Sequence, residues 1–113
     1  MTPFTVIWLL AAHFVADFVF QTTKTGLNKS SNNRILATHV AIYTCVLAVL
    51  MVPLLGMKAV LFAVTNGLLH FPTDYISSRL AGKYHREGRL YAFWKVIGLD
   101  QLAHYIGLIL LFP

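Results

Sequence analysis

Three pairs of histidine and aspartate stand inside apolar stretches of this 113-residue chain, with the two members of each pair four residues apart. A spacing of four residues places both side chains on one face of a helix. Imidazole nitrogens and carboxylate oxygens are together a ligand set that suits zinc, manganese or iron. The spacing therefore predicts three helices that each present a His–Asp face to a shared polar site. The pairs are His13 with Asp17, His70 with Asp74, and Asp100 with His104.

The third pair has the reverse order, and antiparallel helices require exactly this inversion. If successive helices alternate in direction, the first and third present histidine before aspartate, and the fourth must present aspartate first to keep the same vertical order. His39, near the start of the second apolar run, falls at about the level of Asp74. We therefore expect four histidines and three aspartates to lie in one layer of the molecule.

The composition favours lipid as the solvent of this chain, because 58% of the residues are hydrophobic and only 12% are charged. Four apolar runs each approach the roughly 20 residues that a helix needs to cross a bilayer. We predict an all-α polytopic membrane protein with one domain over residues 1–113, in which four transmembrane helices form a compact bundle. The expected helices cover about 4–21, 35–55, 58–78 and 93–112, with an interfacial basic segment at 80–92.

The first run has no basic flank and contains His13 and Asp17, so we expect it to remain as a helix and not to be cleaved as a signal peptide. The single cysteine, Cys45, allows no disulfide within the chain.

The net charge of +5 is unevenly distributed, because every lysine and arginine except Lys58 lies between runs one and two or around the start of run four. By the positive-inside rule these two connections are cytoplasmic and both termini lie outside. The basic excess then sets topology and attracts anionic lipid headgroups, and no nucleic acid is expected as a partner.

A carboxylate in hydrocarbon costs about 2.5–3.5 kcal/mol even on the most permissive scale, so three of them need compensation. No lysine or arginine is expected at their depth, which leaves protonation, His–Asp hydrogen bonds or a metal. We predict one or two divalent ions, zinc before manganese or iron. The alternative is a set of structural pairs that hold helices together. The predicted ligands are His13, Asp17, His39, His70, Asp74, Asp100 and His104.

The remaining polar residues receive supporting roles in this hypothesis. The three aspartates, Asp17, Asp74 and Asp100, are also the catalytic candidates, and one of them could act as a general base. Three amides are expected to hydrogen-bond around the ligands, namely Gln21, Asn66 and Gln101. Three cations could meet a substrate phosphate at the interface, namely Lys24, Lys29 and Arg79.

The ordered set of His13–Gln21, His39, His70–Asp74 and Asp100–His104 resembles the domain-of-unknown-function 3307 family, small multi-spanning membrane proteins of bacteria and their phages. The resemblance covers nearly the whole chain. It implies a compact helical protein of the bacterial inner membrane and implies no established activity. Relatives often place a lysine soon after the aspartate of the third motif, whereas here Ser77, Ser78 and Arg79 follow.

Three functions are consistent with this pattern. The first is a metal-dependent hydrolase that acts on a lipid-linked or phosphate ester at the cytoplasmic leaflet. The second is a transporter or channel for divalent cations or protons that uses the same residues, although the outer halves of helices two and four offer few polar groups. The third is a non-catalytic phage factor that binds a host membrane protein. Four short helices bury little surface, so a homo-oligomer is also expected.

Overall fold

The computed structural model describes residues 1–113 and consists of helices and short turns. It confirms the all-α prediction. The first helix, α1, continues directly into a π-helical turn at Val15–Val19. The five α-helices are α1 (Pro3–Phe14), α2 (Thr23–Asn28), α3 (Asn33–Leu55), α4 (Lys58–Arg86) and α5 (Leu90–Leu111).

Side chains and glycines define the helix ends. Thr2 Oγ1 caps α1 by accepting a hydrogen bond from the Thr5 amide at 3.1 Å, and the Asn32 side chain caps α3 in the same way. The turn between α3 and α4 contains Gly56 with φ 57°, and the turn between α4 and α5 contains Gly88 with φ 69°. Glycine adopts this left-handed conformation without the steric cost that a side chain brings. Both tight turns make the connected helices antiparallel neighbours.

Three local features differ from the sequence-based expectation. The helix α4 does not stop near residue 78 but continues to Arg86, through the first half of the segment expected to lie along the interface. Its last turn carries Lys83 and Arg86, cations that interact favourably with the carboxyl end of a helix. The polar connection after α1 contains the short helix α2, capped by Thr22. The π turn surrounds Asp17, where helical spacing alone predicts regular α-helix.

The bundle is an arc and not a closed ring. The main helix packing joins α3 to α4 and α4 to α5, while α1 and the π turn pack against α3. The helices α3 and α4 approach closely at Gly67, where an added Cβ would lie 2.1 Å from Thr44 Oγ1. A continuous apolar core fills the half of the bundle near the α3–α4 turn, and it includes Leu9, Leu47, Met51, Phe62 and Leu108.

The molecule has few buried residues and an apolar outside. Only 22 of its 113 residues are buried, and large hydrophobic side chains are exposed on every long helix. By length and composition, α3 is the one helix apolar enough to cross a membrane.

Candidate metal centre

The buried polar residues of the molecule are the predicted ligands and one amide. Eight polar or charged residues are buried, and seven of them are the histidines and aspartates singled out in the sequence. The eighth is Asn66. The predicted convergence therefore occurs, because the polar faces of α1, α3, α4 and α5 all turn inward to one place. The exposed fractions of these seven side chains range from 0% for His13 and His70 to 9% for Asp100.

Four of these residues bring one ligand atom each to a common point. Asp17, His39, His70 and Asp74 have potential ligand atoms that all lie within 4.8 Å of one another. His39 Nε2 lies 3.0 Å from Asp17 Oδ1, 3.2 Å from His70 Nε2 and 3.4 Å from Asp74 Oδ2. His70 Nε2 lies 3.5 Å from each of the same two carboxylate oxygens.

These separations are close to the edges of a zinc tetrahedron. With metal–ligand bonds of about 2.0–2.2 Å, ligand atoms around tetrahedral zinc lie about 3.3–3.6 Å apart. Of the six edges, three measure 3.4 or 3.5 Å, and the edges from His39 to Asp17 and to His70 are shorter, at 3.0 and 3.2 Å. Two nitrogens and two oxygens also form a donor set that zinc accepts. The Asp17–His39–His70–Asp74 group, which we call the closed group, therefore fits a four-coordinate zinc ion.

A second group shares Asp17 with the first. Asp17, Asp100 and His104 also offer ligand atoms within 4.8 Å of one another. Three protein ligands leave one position of a tetrahedral ion free, which is the arrangement of catalytic zinc sites. We call this set the open group. The amide of Gln101 links its two carboxylates, because Nε2 lies 3.3 Å from Asp17 Oδ2 and 3.0 Å from Asp100 Oδ2.

His13, which was predicted as a ligand, belongs to neither group. Its Nδ1 accepts a hydrogen bond from the Tyr43 hydroxyl at 3.0 Å, and its Nε2 donates to Gln101 Oε1 at 3.1 Å. The same Nε2 lies 3.6 Å from Asp17 Oδ2. The structure thus places His13 beside the groups, where it orients Gln101.

The expectation that no lysine or arginine lies at the depth of the aspartates is wrong for Lys29. Its Nζ donates to Asp74 Oδ2 at 2.9 Å, and its side chain is only 17% exposed. The short helix α2 makes this contact possible, because it turns the connection back over the end of the bundle. The other oxygen, Asp74 Oδ1, lies 3.3 Å from His104 Nε2. Both oxygens of Asp74 are therefore fixed by neighbours.

Two residues outside the predicted site also shape it. The Tyr43 ring stacks on the His70 ring with a centroid distance of 4.0 Å, and the His104 ring stacks on the His70 ring at 4.2 Å. Stacking holds the His70 ring, since its buried Nδ1 has no hydrogen-bond partner. The Ser77 hydroxyl donates to Asp100 Oδ1. Tyr43 follows His39 by four residues and Ser77 follows Asp74 by three, so helical spacing was the signal that could have identified both.

The other predicted residues are divided by the structure. Gln101 joins the cluster, whereas the Asn66 amide donates to the Phe62 carbonyl of its own helix at 2.8 Å. Gln21 lies at the edge of the site, and its buried Oε1 has no partner. Lys24 is exposed in α2, away from both groups. Arg79 donates to Asn33 Oδ1 at 2.6 Å and lies over the Tyr75 ring.

A cavity of about 440 Å³ opens beside the open group at the basic end of the bundle. Asp17, Asp100 and Gln101 line it together with Lys29, His85 and Arg86. His39, His70, Asp74 and His104 do not line it. Two of the three residues of the open group therefore border a space of the size that small-molecule sites have, whereas the closed group reaches it only through the shared Asp17.

A family model described as "Protein of unknown function (DUF3307)" matches residues 5–113. The chain belongs to this family. All seven clustered histidines and aspartates lie within the matched range of the DUF3307 model, so the cluster is part of the region that defines the match. No curated protein and no solved structure matches the chain.

Proposed function

We propose that this DUF3307 protein is a metal-dependent hydrolase, embedded in the bacterial inner membrane, which cleaves a phosphate ester at the cytoplasmic leaflet. The observation that carries the proposal is the open group. Asp17, Asp100 and His104 form a three-ligand set, and two of its members, the aspartates, line a cavity that Lys29 and Arg86 also line.

The distribution of side chains supports four membrane spans. The exposed face of α4 carries Val60, Leu61, Val64, Leu68 and Ile76, while the polar groups that lower its hydropathy are buried. A protein with such an exposed apolar surface would aggregate in water, whereas the lipid hydrocarbon of a membrane solvates this surface favourably. The same division applies to α5, where Leu99, Leu102, Ile106 and Leu110 are exposed. The mean hydropathy of a whole helix hides this division, because it averages the exposed apolar face with the buried polar face.

The ends of the bundle support the proposed orientation. Three cations lie over aromatic rings at the same end: Arg79 over Tyr75, Arg89 over Tyr84, and Lys95 over Tyr91. Aromatic rings and long cationic side chains are enriched where a membrane meets water. The basic end then faces the cytoplasm, and the cavity opens there.

The chemistry follows from which carboxylates reach the cavity. A bound divalent ion would supply Lewis acidity and lower the pKa of water in the free position. Asp17 and Asp100 line the cavity and Asp74 does not, so these two are placed to hold the ion or to take a proton from the attacking water. Lys29 can neutralise charge on the phosphate oxygens. The closed group, which includes Asp74, would hold a second, structural zinc ion that fixes the helices and Asp17 in place.

The apolar core disfavours the transport hypothesis. Residues such as Leu47, Met51, Phe62 and Leu108 fill the bundle between the cluster and the opposite end. An ion that reached the cluster from the cavity would meet these apolar side chains on its way to the opposite end.

A hydrolysis assay with a matched carboxylate control tests the proposal. The protein is purified in detergent, stripped with a chelator, reloaded with zinc, and assayed for phosphate release from phosphatidate and p-nitrophenyl phosphate. We expect zinc-dependent release that falls about 100-fold or more in Asp100→Asn. Glu87→Gln should retain activity, because Glu87 is the one carboxylate outside the cluster. Absence of hydrolysis, or equal hydrolysis with and without metal, would contradict the proposal.

A further inference from the structure

The lining of the cavity combines charged and apolar side chains. Lys29, which directly follows α2, and Arg86, at the end of α4, are its cations. Phe18 from the π turn and Phe93 and Ile97 from α5 are apolar, and the same two elements also contribute Asp17 and Asp100. A lining with cations and apolar side chains fits a ligand that has an anionic part and an apolar part.

Arg86 is available to an anion. Its guanidinium folds back over Gly82, where an added Cβ would lie 3.3 Å from Arg86 Nη1. The side chain makes no hydrogen bond and no ion pair with the protein, in contrast to Arg79, which is bound to Asn33. Lys29 uses one of its three N–H donors on Asp74, so two remain for a ligand. A guanidinium that faces a cavity with all five donors free is suited to bidentate contact with phosphate.

Two buried polar atoms at the cavity also lack partners. Gln21 Oε1 and Ser78 Oγ both belong to cavity-lining residues, and neither has a hydrogen-bond partner within the protein. Buried polar groups without a partner are costly, so they point to a polar ligand or water in this space.

The apolar residues that line the cavity lie at a seam in the bundle. Because α5 packs along α4 and α1 packs against α3, the helices α1 and α5 form no extensive backbone packing with each other. Side chains join them at His13, Asp17 and Gln101, and Phe18 and Ile97 flank the cavity nearer the basic end. An acyl chain could leave the cavity between α1 and α5 and enter the bilayer directly.

We propose that the cavity binds a lipid phosphate monoester, with its phosphate at Arg86 and Lys29 and its tail in the α1–α5 seam. This assignment rests on the proposed function for the role of the open group and names its substrate class. Lys29 and Arg86 provide the headgroup contacts, and the α1–α5 seam provides a route for the tail into the bilayer. A lipid substrate also places its phosphate at the depth where the cavity opens.

Binding of two phosphonates tests the assignment separately from hydrolysis, because a carbon–phosphorus bond is not cleaved. Dodecylphosphonate and methylphosphonate share a headgroup and differ in the tail. In native mass spectrometry of the zinc-loaded protein, we expect dodecylphosphonate to bind at least tenfold more tightly. Arg86→Gln should weaken that binding about tenfold, the value of one charge-assisted hydrogen bond. Lys83→Gln is the matched control, since Lys83 is exposed on the same helix and does not line the cavity.

A substitution in the seam separates the tail from the headgroup. Ile97→Trp should fill the opening and weaken dodecylphosphonate about tenfold while changing methylphosphonate less than twofold. Equal affinity for the two phosphonates would show a site for soluble phosphate and overturn the assignment. Equal effects of Arg86→Gln and Lys83→Gln would also overturn it. Tight, Arg86-dependent binding without hydrolysis would contradict the proposed function and support the lipid phosphate site. Hydrolysis without Arg86-dependent binding would support the proposed function and contradict the lipid phosphate site.

Discussion

Replacing Gly67 by alanine should separate the two helices that carry His39 and His70. The added Cβ would lie 2.1 Å from Thr44 Oγ1 and 3.3 Å from Thr44 Cβ. A carbon and an oxygen normally stay about 3.3 Å or more apart, so the added Cβ and Thr44 Oγ1 must move apart by roughly 1 Å. The Thr44 hydroxyl already donates to the Val40 carbonyl at 2.8 Å. The strain is therefore relieved by breaking this bond or by moving α3 from α4.

Gly98→Ala provides the reference for this substitution, because Gly98 lies within α5 and has no atom within 4 Å of an added Cβ. Both substitutions gain the same helix propensity, up to about 1 kcal/mol. Only Gly67→Ala adds the cost of overpacking, about 1–3 kcal/mol. We therefore expect the free energies of unfolding of the two variants to differ by about 1–3 kcal/mol, with Gly67→Ala less stable.

The same displacement of α3 from α4 should also weaken zinc binding at the closed group. Gly67 precedes His70 by one helical turn, and the two Nε2 atoms of His39 and His70 are only 3.2 Å apart. A shift of α3 against α4 should weaken zinc binding about tenfold. The assays are unfolding in mixed micelles and competition with a zinc chelator. Thr44→Ala in the Gly67→Ala background should restore both values, because it removes the clashing oxygen. Equal stability of the Gly67→Ala and Gly98→Ala proteins would refute the close approach.

Two further predictions concern charge and lipid exposure. In protein stripped of metal by a chelator, Lys29→Met should lower the free energy of unfolding by about 1.5–3 kcal/mol, because it leaves the Asp74 carboxylate without its charged donor. The control Lys24→Met replaces an exposed lysine and should change the free energy of unfolding by less than about 0.5 kcal/mol. Equal effects of the two substitutions would refute the Lys29–Asp74 contact. Cys45 is exposed in the middle of α3, so a water-soluble maleimide should label it after denaturation in SDS and leave it unlabelled in native membranes. Rapid labelling in intact membranes would contradict the proposed span.

The convergence of the cluster was predictable because it depends on two regular features. Helical spacing fixes His70 and Asp74 on one face, and short turns force neighbouring helices to be antiparallel. The inverted order of Asp100 and His104 then determines the level of the third pair. The level of His39 was predictable from its distance to the same end of the bundle. The structure places its Nε2 3.4 Å from Asp74 Oδ2.

The contacts that sequence reasoning missed depend on irregular backbone or on helix length. Lys29 reaches Asp74 only because α2 folds back, and the composition of that segment indicated a solvated loop. The π turn changes the direction of Asp17 relative to His13, and no sequence signal marks a π turn. Arg86 reaches the cavity because α4 continues for two more turns than its apolar pattern indicates. Such features arise from tertiary contacts, so local patterns contain little information about them.

Zinc X-ray absorption of the purified protein tests the central claim most directly. We predict zinc bound to nitrogen and oxygen ligands at about 2.0–2.2 Å with no sulfur in the shell, and imidazole scattering that decreases in His70→Ala. The matched control is His85→Ala, which replaces a histidine outside both ligand groups and should leave the spectrum unchanged. A folded protein that takes up no divalent metal, or one whose metal shell is identical in His70→Ala, would contradict the claim that these helices converge to hold an ion.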